Sequence, residues 1–319
     1  MRILDRLFGS GGIFAYHGVV ERIVSPNVHT TPARMREQLE AVRGRYDVIP
    51  LAEYLARRDR GRSVAGCLAV TFDDAYAGVA RLAAPILAEL DIPATLFVVS
   101  GAARDGAQFW WDRAERAFET DPDGAWRQLL ARAGLPHAAA GAEGWQRFRT
   151  RVLARFAGRF DTLETTPPIQ VDADLRSLRF EELAALARDE RYDFGVHTDS
   201  HACLPFLSEA ECEREIATSH RVLLERLPRV RAVIAYPYGL FDRRTIECAR
   251  RAGMQAGVTM DGRAPSRFSG RYTVPRLGVM EDRSPRSIAL RLNGALRPLL
   301  VARERGLHPR LPAEASIAS

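Results

Sequence analysis

Two adjacent acidic residues, Asp73 and Asp74, follow the apolar run Cys67 to Phe72 in the stretch Val70-Thr71-Phe72-Asp73-Asp74-Ala75-Tyr76. Neighbouring side chains on an extended segment point to opposite faces. At the end of a strand, however, the chain turns, and the two carboxylates can then share one spot, one binding a cation and one moving a proton. Held close, they resist ionising together unless a positive charge intervenes, so metal ligands are expected elsewhere. The run Phe194-Gly195-Val196-His197-Thr198-Asp199-Ser200-His201 supplies them. Imidazoles four residues apart meet on one face of a helical turn, and neutral imidazole suits Zn, Fe, Co or Ni. With Asp74, they make a two-His, one-carboxylate set. Three protein ligands leave positions open for water, which is the arrangement of a catalytic rather than a structural site.

The elements that must position these residues are legible as an alternation. Apolar runs at Gly12 to Tyr16, Cys67 to Phe72, Thr95 to Val99, Asp193 to Val196, Ala232 to Ala235, Gln255 to Val258 and Thr273 to Val279 are separated by helical patterns. Those patterns include Pro32 to Arg43, Ala77 to Leu90, Phe180 to Arg188, Ser208 to Leu227 and Asp242 to Ala252. Thr31-Pro32, Ser208-Glu209 and Asp242 fit the rules for helix caps and first turns. This pattern predicts βα units around a parallel sheet. His17, Asp73, Asp74, His197 and Tyr236 each fall just after an apolar run, and in a βα barrel the C-terminal ends of the strands share the face where chemistry gathers. Between Trp111 and about Asp174 the strand signal disappears, and helical stretches near Asp112 to Phe118, Ala125 to Ala133 and Gly144 to Phe160 predict an α-helical insertion. After Asp282, Ser287 to Arg303 reads as an amphipathic helix kinked at Pro298, packing on the barrel. Disorder is expected from Pro309 to Ser319.

Thr71-Phe72-Asp73-Asp74, His197-Thr198-x-x-His201 and Tyr236-Pro237-Tyr238-Gly239 resemble, in order and spacing, the motifs of polysaccharide deacetylases, the NodB-homology group of carbohydrate esterase family 4. Phe14-Ala15-Tyr16-His17-Gly18-Val19, Pro93-Ala94-Thr95-Leu96-Phe97-Val98 and Trp110-Trp111-Asp112 resemble more specifically the poly-N-acetylglucosamine deacetylase branch. The resemblance implies an α/β fold, a distorted and incomplete (β/α) barrel with a catalytic domain over 1–282, a helical insertion at 112–175 and a C-terminal helix and tail over 283–319. It also implies roles. A divalent metal, zinc before Co, Ni or Fe, would sit on Asp74, His197 and His201, lower the pKa of its water to about 7 and polarise the acetyl carbonyl. Asp73 would be the base, the Tyr238 backbone N–H would face the oxyanion, and His17 would be the acid, its pKa raised by a nearby carboxylate. One departure stands out. Much of the family has Arg two residues before the motif Pro, where it braces the base, but this chain has Ala235. Arg276, in Val274-Pro275-Arg276-Leu277-Gly278, is the candidate brace instead. Trp110 and Trp111, read as strand neighbours, are expected to place one ring at the cleft for sugar stacking, and His29, His137 and His220 to lie at the surface or in caps.

The implied activity is removal of N-acetyl groups from an N-acetylhexosamine glycan or glycoconjugate. Deformylation or O-deacetylation would use the same machinery, and an inactive sugar-binding module is the alternative from another class, opposed by the intact Asp73, Asp74, His197 and His201. Non-haem Fe(II) oxygenases share the ligand set but typically use all-β scaffolds and His-x-Asp spacing. The 319 residues are 46% hydrophobic with net charge +6, enough for a buried core, and every basic residue other than histidine is Arg. That excess is spread along the chain without a basic and aromatic tract, so no nucleic-acid partner is expected. Cys67, Cys203, Cys212 and Cys248 lack Cys-x-x-Cys spacing and are expected to be reduced and buried. With no apolar stretch of signal-peptide or membrane-span length, a cytoplasmic protein is expected, with at most weak membrane-surface contact through the basic C-terminal helix.

Overall fold

Runs such as Cys-Leu-Ala-Val-Thr-Phe are extended because β-branched and aromatic residues pack well on a pleated surface. In the computed structural model, which describes residues 11–23, 25, 28–136, 142–159, 169, 171–260 and 270–292, they form β1 (Gly12–Tyr16), β2 (Asp47–Val48), β3 (Cys67–Phe72), β4 (Ala94–Val98), β5 (Tyr192–Val196), β6 (Val230–Ala235), β7 (Ala256–Thr259), β8 (Val274–Pro275) and β9 (Leu277–Gly278). Every pairing between them is parallel. The order is β8-β7-β6-β5-β4-β3-β1-β9, with β2 beside β3. Strands β8 and β9 are separated only by Arg276, yet one pairs with β7 and the other with β1. One short stretch of chain therefore joins both ends of the sheet, and the result is a parallel barrel nearly closed at a single seam.

The helices are α1 (Pro32–Arg43), α2 (Leu51–Asp59), α3 (Ala84–Glu89), α4 (Ala102–Asp105), α5 (Trp110–Thr120), α6 (Ala125–Arg132), α7 (Ala142–Phe156), α8 (Phe180–Leu186), α9 (Glu209–Arg226), α10 (Arg243–Arg251) and α11 (Pro285–Leu292). The expected starts use the expected caps. Thr31, Ser208 and Asp242 accept from the N–H groups of Arg34, Glu211 and Thr245, and Ser208 with Glu211 forms a capping box. The run from Ala77 to Leu90 is not one regular helix. A π-helical turn, Val79–Ala83, precedes α3, because Pro85 has no N–H to give to the preceding turn. The expected strand from Thr273 to Val279 is likewise broken at Arg276, and β2 and α2 are elements whose short runs carry no clear period.

Alternate residues of the strands serve two cores. Ile13, Ala69, Phe97, Val233 and Val258 cluster with Leu51, Tyr54 and Leu55 of α2, filling the barrel, while Phe14, Val70, Phe72, Leu96 and Val98 pack toward the surrounding helices. Helices α5 to α7 share a third cluster of their own, including Trp110, Trp126, Leu129 and Phe148. The segment containing Trp110 and Trp111 begins a helix rather than a strand. At the other end of the chain α11 packs on the barrel with Ile288 and Leu292 fully buried, each contributing about 1.5–3 kcal/mol. Pro298, His137 and the tail lie outside the described residues. All four cysteines are free and buried. No helix among the described residues is long and apolar enough to cross a membrane.

Candidate active site

β3 ends at Phe72, where the Asp73 N–H donates to Tyr16 O at 2.9 Å. Asp74 and Ala75 then take left-handed backbone angles, φ 65° and 49°, a conformation that costs a non-glycine residue about 1–2 kcal/mol. This turn brings both carboxylates into the mouth of the barrel, each only 2% exposed. Their surroundings differ. Arg276, itself fully buried, donates from Nη1 and Nη2 to the two Asp73 oxygens, both at 2.7 Å, and from Nη1 to Thr71 Oγ1 at 2.9 Å. Its guanidinium lies 5.1 Å above the Phe97 ring, and that ring occupies space that Gly195 leaves open, since a Cβ there would meet Phe97 Cε1 at 2.5 Å. Burial alone would push the Asp73 carboxyl up, but Arg276, with help from His197, outweighs it and holds the group well below the usual carboxylate range. Asp74 has no such partner. Burial, then repulsion from Asp73 and Asp112, pushes its pKa well up, and its Oδ1 is buried without a hydrogen bond.

The two histidines meet that orphan oxygen. His197 Nε2 is 3.5 Å and His201 Nε2 3.3 Å from Asp74 Oδ1. The segment joining them is not the helical turn expected from the spacing. Thr198 and His201 have φ 65° and 54°, so a left-handed loop folds one ring over the other, centroids 4.7 Å apart. His197 Nδ1 lies 2.8 Å from Ala235 O. An N–H donating there fixes the tautomer and leaves Nε2 as a lone pair facing Asp74. The residue standing where family members carry Arg thus orients a histidine through its backbone. Burial pushes both imidazoles toward the neutral form. One donor atom from each of Asp74, His197 and His201 lies within 4.8 Å of the others. An unpaired buried carboxylate oxygen facing two neutral imidazole nitrogens is a donor set that fits a divalent cation such as zinc.

His17 follows β1 and is about a fifth exposed, with Nε2 3.8 Å from Asp73 Oδ2. Burial pushes its pKa down to about 4 against the upward pull of Asp73, with Arg276 adding to the depression. The net direction is therefore opposite to that expected for an acid beside a carboxylate, because burial outweighs the pull of Asp73. Tyr238 has φ 59° in the turn Pro237–Gly239, whose backbone bonds run from the Gly239 and Leu240 N–H groups to Tyr236 O and Pro237 O. The Tyr238 amide stands outside that pairing. Its hydroxyl accepts from Trp110 Nε1 at 3.1 Å, and its ring meets His201 edge-on at 4.6 Å.

These groups line a cleft of about 340 Å³ whose other walls are Trp110, Trp111, Trp145, Glu115 and Arg149. Both adjacent tryptophans thus reach the cleft, one from within the helical cluster and one stacked 4.6 Å from Phe109. Trp111 is anchored by a buried polar chain. Its Nε1 donates to Tyr76 Oη at 2.8 Å, Tyr76 donates to Asp112 Oδ2 at 2.7 Å, and His29 Nε2 lies 3.1 Å from Asp112 Oδ1. His29 is not the surface residue expected; it is fully buried, because the loop before α1 folds inward and Gly18 leaves room for its ring. Tyr76 and Glu115 carried no spacing signal, and Asp112 only its place in Trp110-Trp111-Asp112. Burial pushes Glu115 up to about 7, which marks it only once its position in the cleft is seen.

Comparison with known proteins agrees with this architecture. A stretch of the chain is 31% identical over 122 residues, 33% of this chain and 42% of the relative, to a poly-beta-1,6-N-acetyl-D-glucosamine N-deacetylase of Staphylococcus epidermidis. It is 27% identical over 109 residues to a Staphylococcus aureus protein of the same description, covering 32% of this chain and 38% of the relative. The match therefore spans less than half of either relative. The fold resembles that of the Streptococcus pyogenes deacetylase PplD in complex with acetate, with TM-score 0.60 and 18% identity over 88% of this chain and 97% of that one. IcaB from Ammonifex degensii gives 0.57 and 20% over 89% and 97%. The family model for polysaccharide deacetylases matches residues 60–127 and 156–257, more than half of the sequence, and spans Asp73, Asp74, His197, His201 and Tyr238: the chain belongs to the polysaccharide deacetylase family.

Proposed function

We propose that this protein is a metal-dependent hydrolase that removes N-acetyl groups from an N-acetylhexosamine-containing glycan or glycoconjugate. The observation that carries this reading is the meeting, at one barrel mouth, of an unpaired buried carboxylate with two neutral imidazoles beside a second carboxylate kept ionised by Arg276. A divalent ion, zinc first, held by Asp74, His197 and His201 would polarise the acetyl carbonyl and acidify a water.

The chain's own groups divide the rest. Asp73, ionised at neutral pH, accepts a proton from the attacking water as the new C–O bond forms. The Tyr238 amide faces the developing oxyanion. His17, neutral in the free site, takes the proton from Asp73 at Nε2, 3.8 Å away, and delivers it to the nitrogen as the C–N bond breaks, so that acetate and a free amine leave. Trp111 and Tyr238 offer flat apolar faces for a sugar ring, and Glu115 and Arg149 offer polar partners for its hydroxyls. The family likeness and the activities of the relatives favour an acetylated amino-sugar polymer over an O-acetyl or formyl substrate. Incubation with an N-acetylglucosamine oligomer, with metal analysis, tests the reading. Acetate released in proportion to bound metal and abolished by a chelator is expected. Metal-loaded protein that releases no acetate, or formate release from an N-formyl oligomer instead, overturns it.

A further inference from the structure

The loop that carries both histidines is held from outside on two sides: the Ser100 and Gly101 N–H groups donate to Thr198 O and Asp199 O at 3.2 and 2.8 Å, and a carboxylate grips its N–H groups. Thr198 and His201 are both left-handed, a conformation that side chains resist, so something must pin the backbone between them. Glu215, on α9, does so. Its Oε2 accepts from the Asp199 N–H at 3.1 Å and the Ser200 N–H at 2.9 Å, and its Oε1 accepts from Ser200 Oγ at 2.8 Å. Arg159 Nη2 donates to the same Oε1 at 2.9 Å. The Glu215 side chain is only 10% exposed, its arginine partner 33%. Arg159 lies just beyond α7, in a segment that touches the site twice more. Ala157 O accepts from the Cys203 N–H at 2.7 Å, and Gly158 lies against the Tyr238 ring, where a Cβ would meet the hydroxyl at 2.5 Å.

We infer that Glu215 is a positioning residue for the metal-ligand loop: by gripping the two amides between His197 and His201 it holds both imidazoles at the spacing Asp74 requires, and Arg159 aims the carboxylate. An exposed ion pair alone would contribute little. A shielded carboxylate on two successive N–H groups is different, because such bonds are charge-assisted and release of the loop would let Thr198 and His201 relax toward right-handed angles and turn the His201 ring away. The inference rests on the reading of Asp74, His197 and His201 as metal ligands.

The test is titration of Co(II) into chelator-stripped full-length protein, followed by calorimetry and by visible absorption, with thermal unfolding of the metal-free forms as a folding control. Glu215→Ala should weaken binding about 10–100-fold, the usual cost of losing a group that orients ligands, and alter the absorption bands. Glu215→Gln, which keeps an acceptor oxygen, should restore part of the affinity, and Arg159→Gln should weaken binding less than either. Unchanged affinity in folded Glu215→Ala overturns the inference; where that variant does not fold, unchanged affinity in both Glu215→Gln and Arg159→Gln does so. Wild-type protein that fails to bind Co(II) overturns the metal reading itself, a result distinct from either.

Discussion

On the barrel side of the cleft, side chains are fixed by directional bonds: Arg276 grips Asp73 and Thr71, and His197 is tied to the Ala235 carbonyl. On the insertion side, Trp110, Trp126 and Phe148 are fixed chiefly by one another, with ring centroids 4.9–6.1 Å apart. Bidentate ion pairs set atoms to tenths of an ångström, as reacting groups need. Ring packing is less directional and tolerates drift, which suits a wall that shapes a substrate. Two directional links cross the divide: Trp110 Nε1 donates to Tyr238 Oη, and the chain from Trp111 through Tyr76 and Asp112 to His29 carries polar order across and pins one insertion ring beside His201.

Substitutions separate the two sides, and the largest effect is expected at the rim. Asp74→Ala should abolish stoichiometric metal and lower acetate release by at least about 10³-fold; retained metal would break the assignment of the barrel side. His17→Ala should lower kcat about 10²- to 10⁴-fold with metal content intact, and metal loss would instead make His17 a ligand. Arg276→Met leaves Asp73 buried and unpaired, at a cost of about 3–5 kcal/mol in unfolding free energy. The sign of its pH effect follows from the depressed carboxyl. In wild type the stability from this pair is full above the unfolded value near 4 and lost as pH falls. In the variant that contribution disappears, and the acid limb of the kcat/KM profile should move up; an unmoved limb would show that Arg276 does not set the base.

On the insertion side, Trp111→Ala should raise KM a few-fold, consistent with about 0.5–1.5 kcal/mol for a ring contact, with kcat little changed. A collapse in kcat would erase the distinction between the walls. The smallest effect on turnover is expected for Glu115→Gln, whose change is read in stability. Its carboxyl is raised from 4.5 to about 7, so the wild type loses stability as pH rises through that interval. The variant should unfold later than wild type at pH above about 8 by about 1–2 kcal/mol, after allowance for partial exposure, and match it near pH 4. Equal stability at both pH values would show that Glu115 is solvated.

The same contrast explains what could be read without coordinates. Barrel strands advertise themselves by short apolar runs, and β1 and β3 begin and end where those runs do. Asp73, Asp74, His197 and His201 fall at strand ends because a parallel sheet places them there, and Arg276 was accessible by asking what replaces the missing Arg at Ala235. Three-dimensional partners without spacing were not accessible. Glu215 reads as an ordinary helix-surface acid, Asp112 as part of a Trp-Trp-Asp likeness with no role of its own, and His29 as a surface or capping histidine. Each acquires meaning from a contact across tens of residues that no local period encodes. The loop joining His197 and His201 departs from the expected helical turn for a related reason: four-residue spacing fits such a turn, but the left-handed angles at Thr198 and His201 are sustained by groups from other elements, Ser100 and Gly101 after β4 and Glu215 on α9.

The seam of the barrel has a kinetic consequence. The contact between Asp73 and Arg276 spans 203 residues of chain, and Arg276 lies in the stretch whose two halves stitch the last gap in the sheet. Contacts of such sequence separation form late, after the entropy of a very long loop has been overcome. A ribosome-bound nascent chain that has not yet released residues 274–278 therefore carries Asp73 without its Arg276 partner, and so does any folding intermediate in which they remain undocked. Ring closure and the bracing of Asp73 by Arg276 are one event, and hydrolytic competence should appear abruptly at the end of folding, without a partly active precursor.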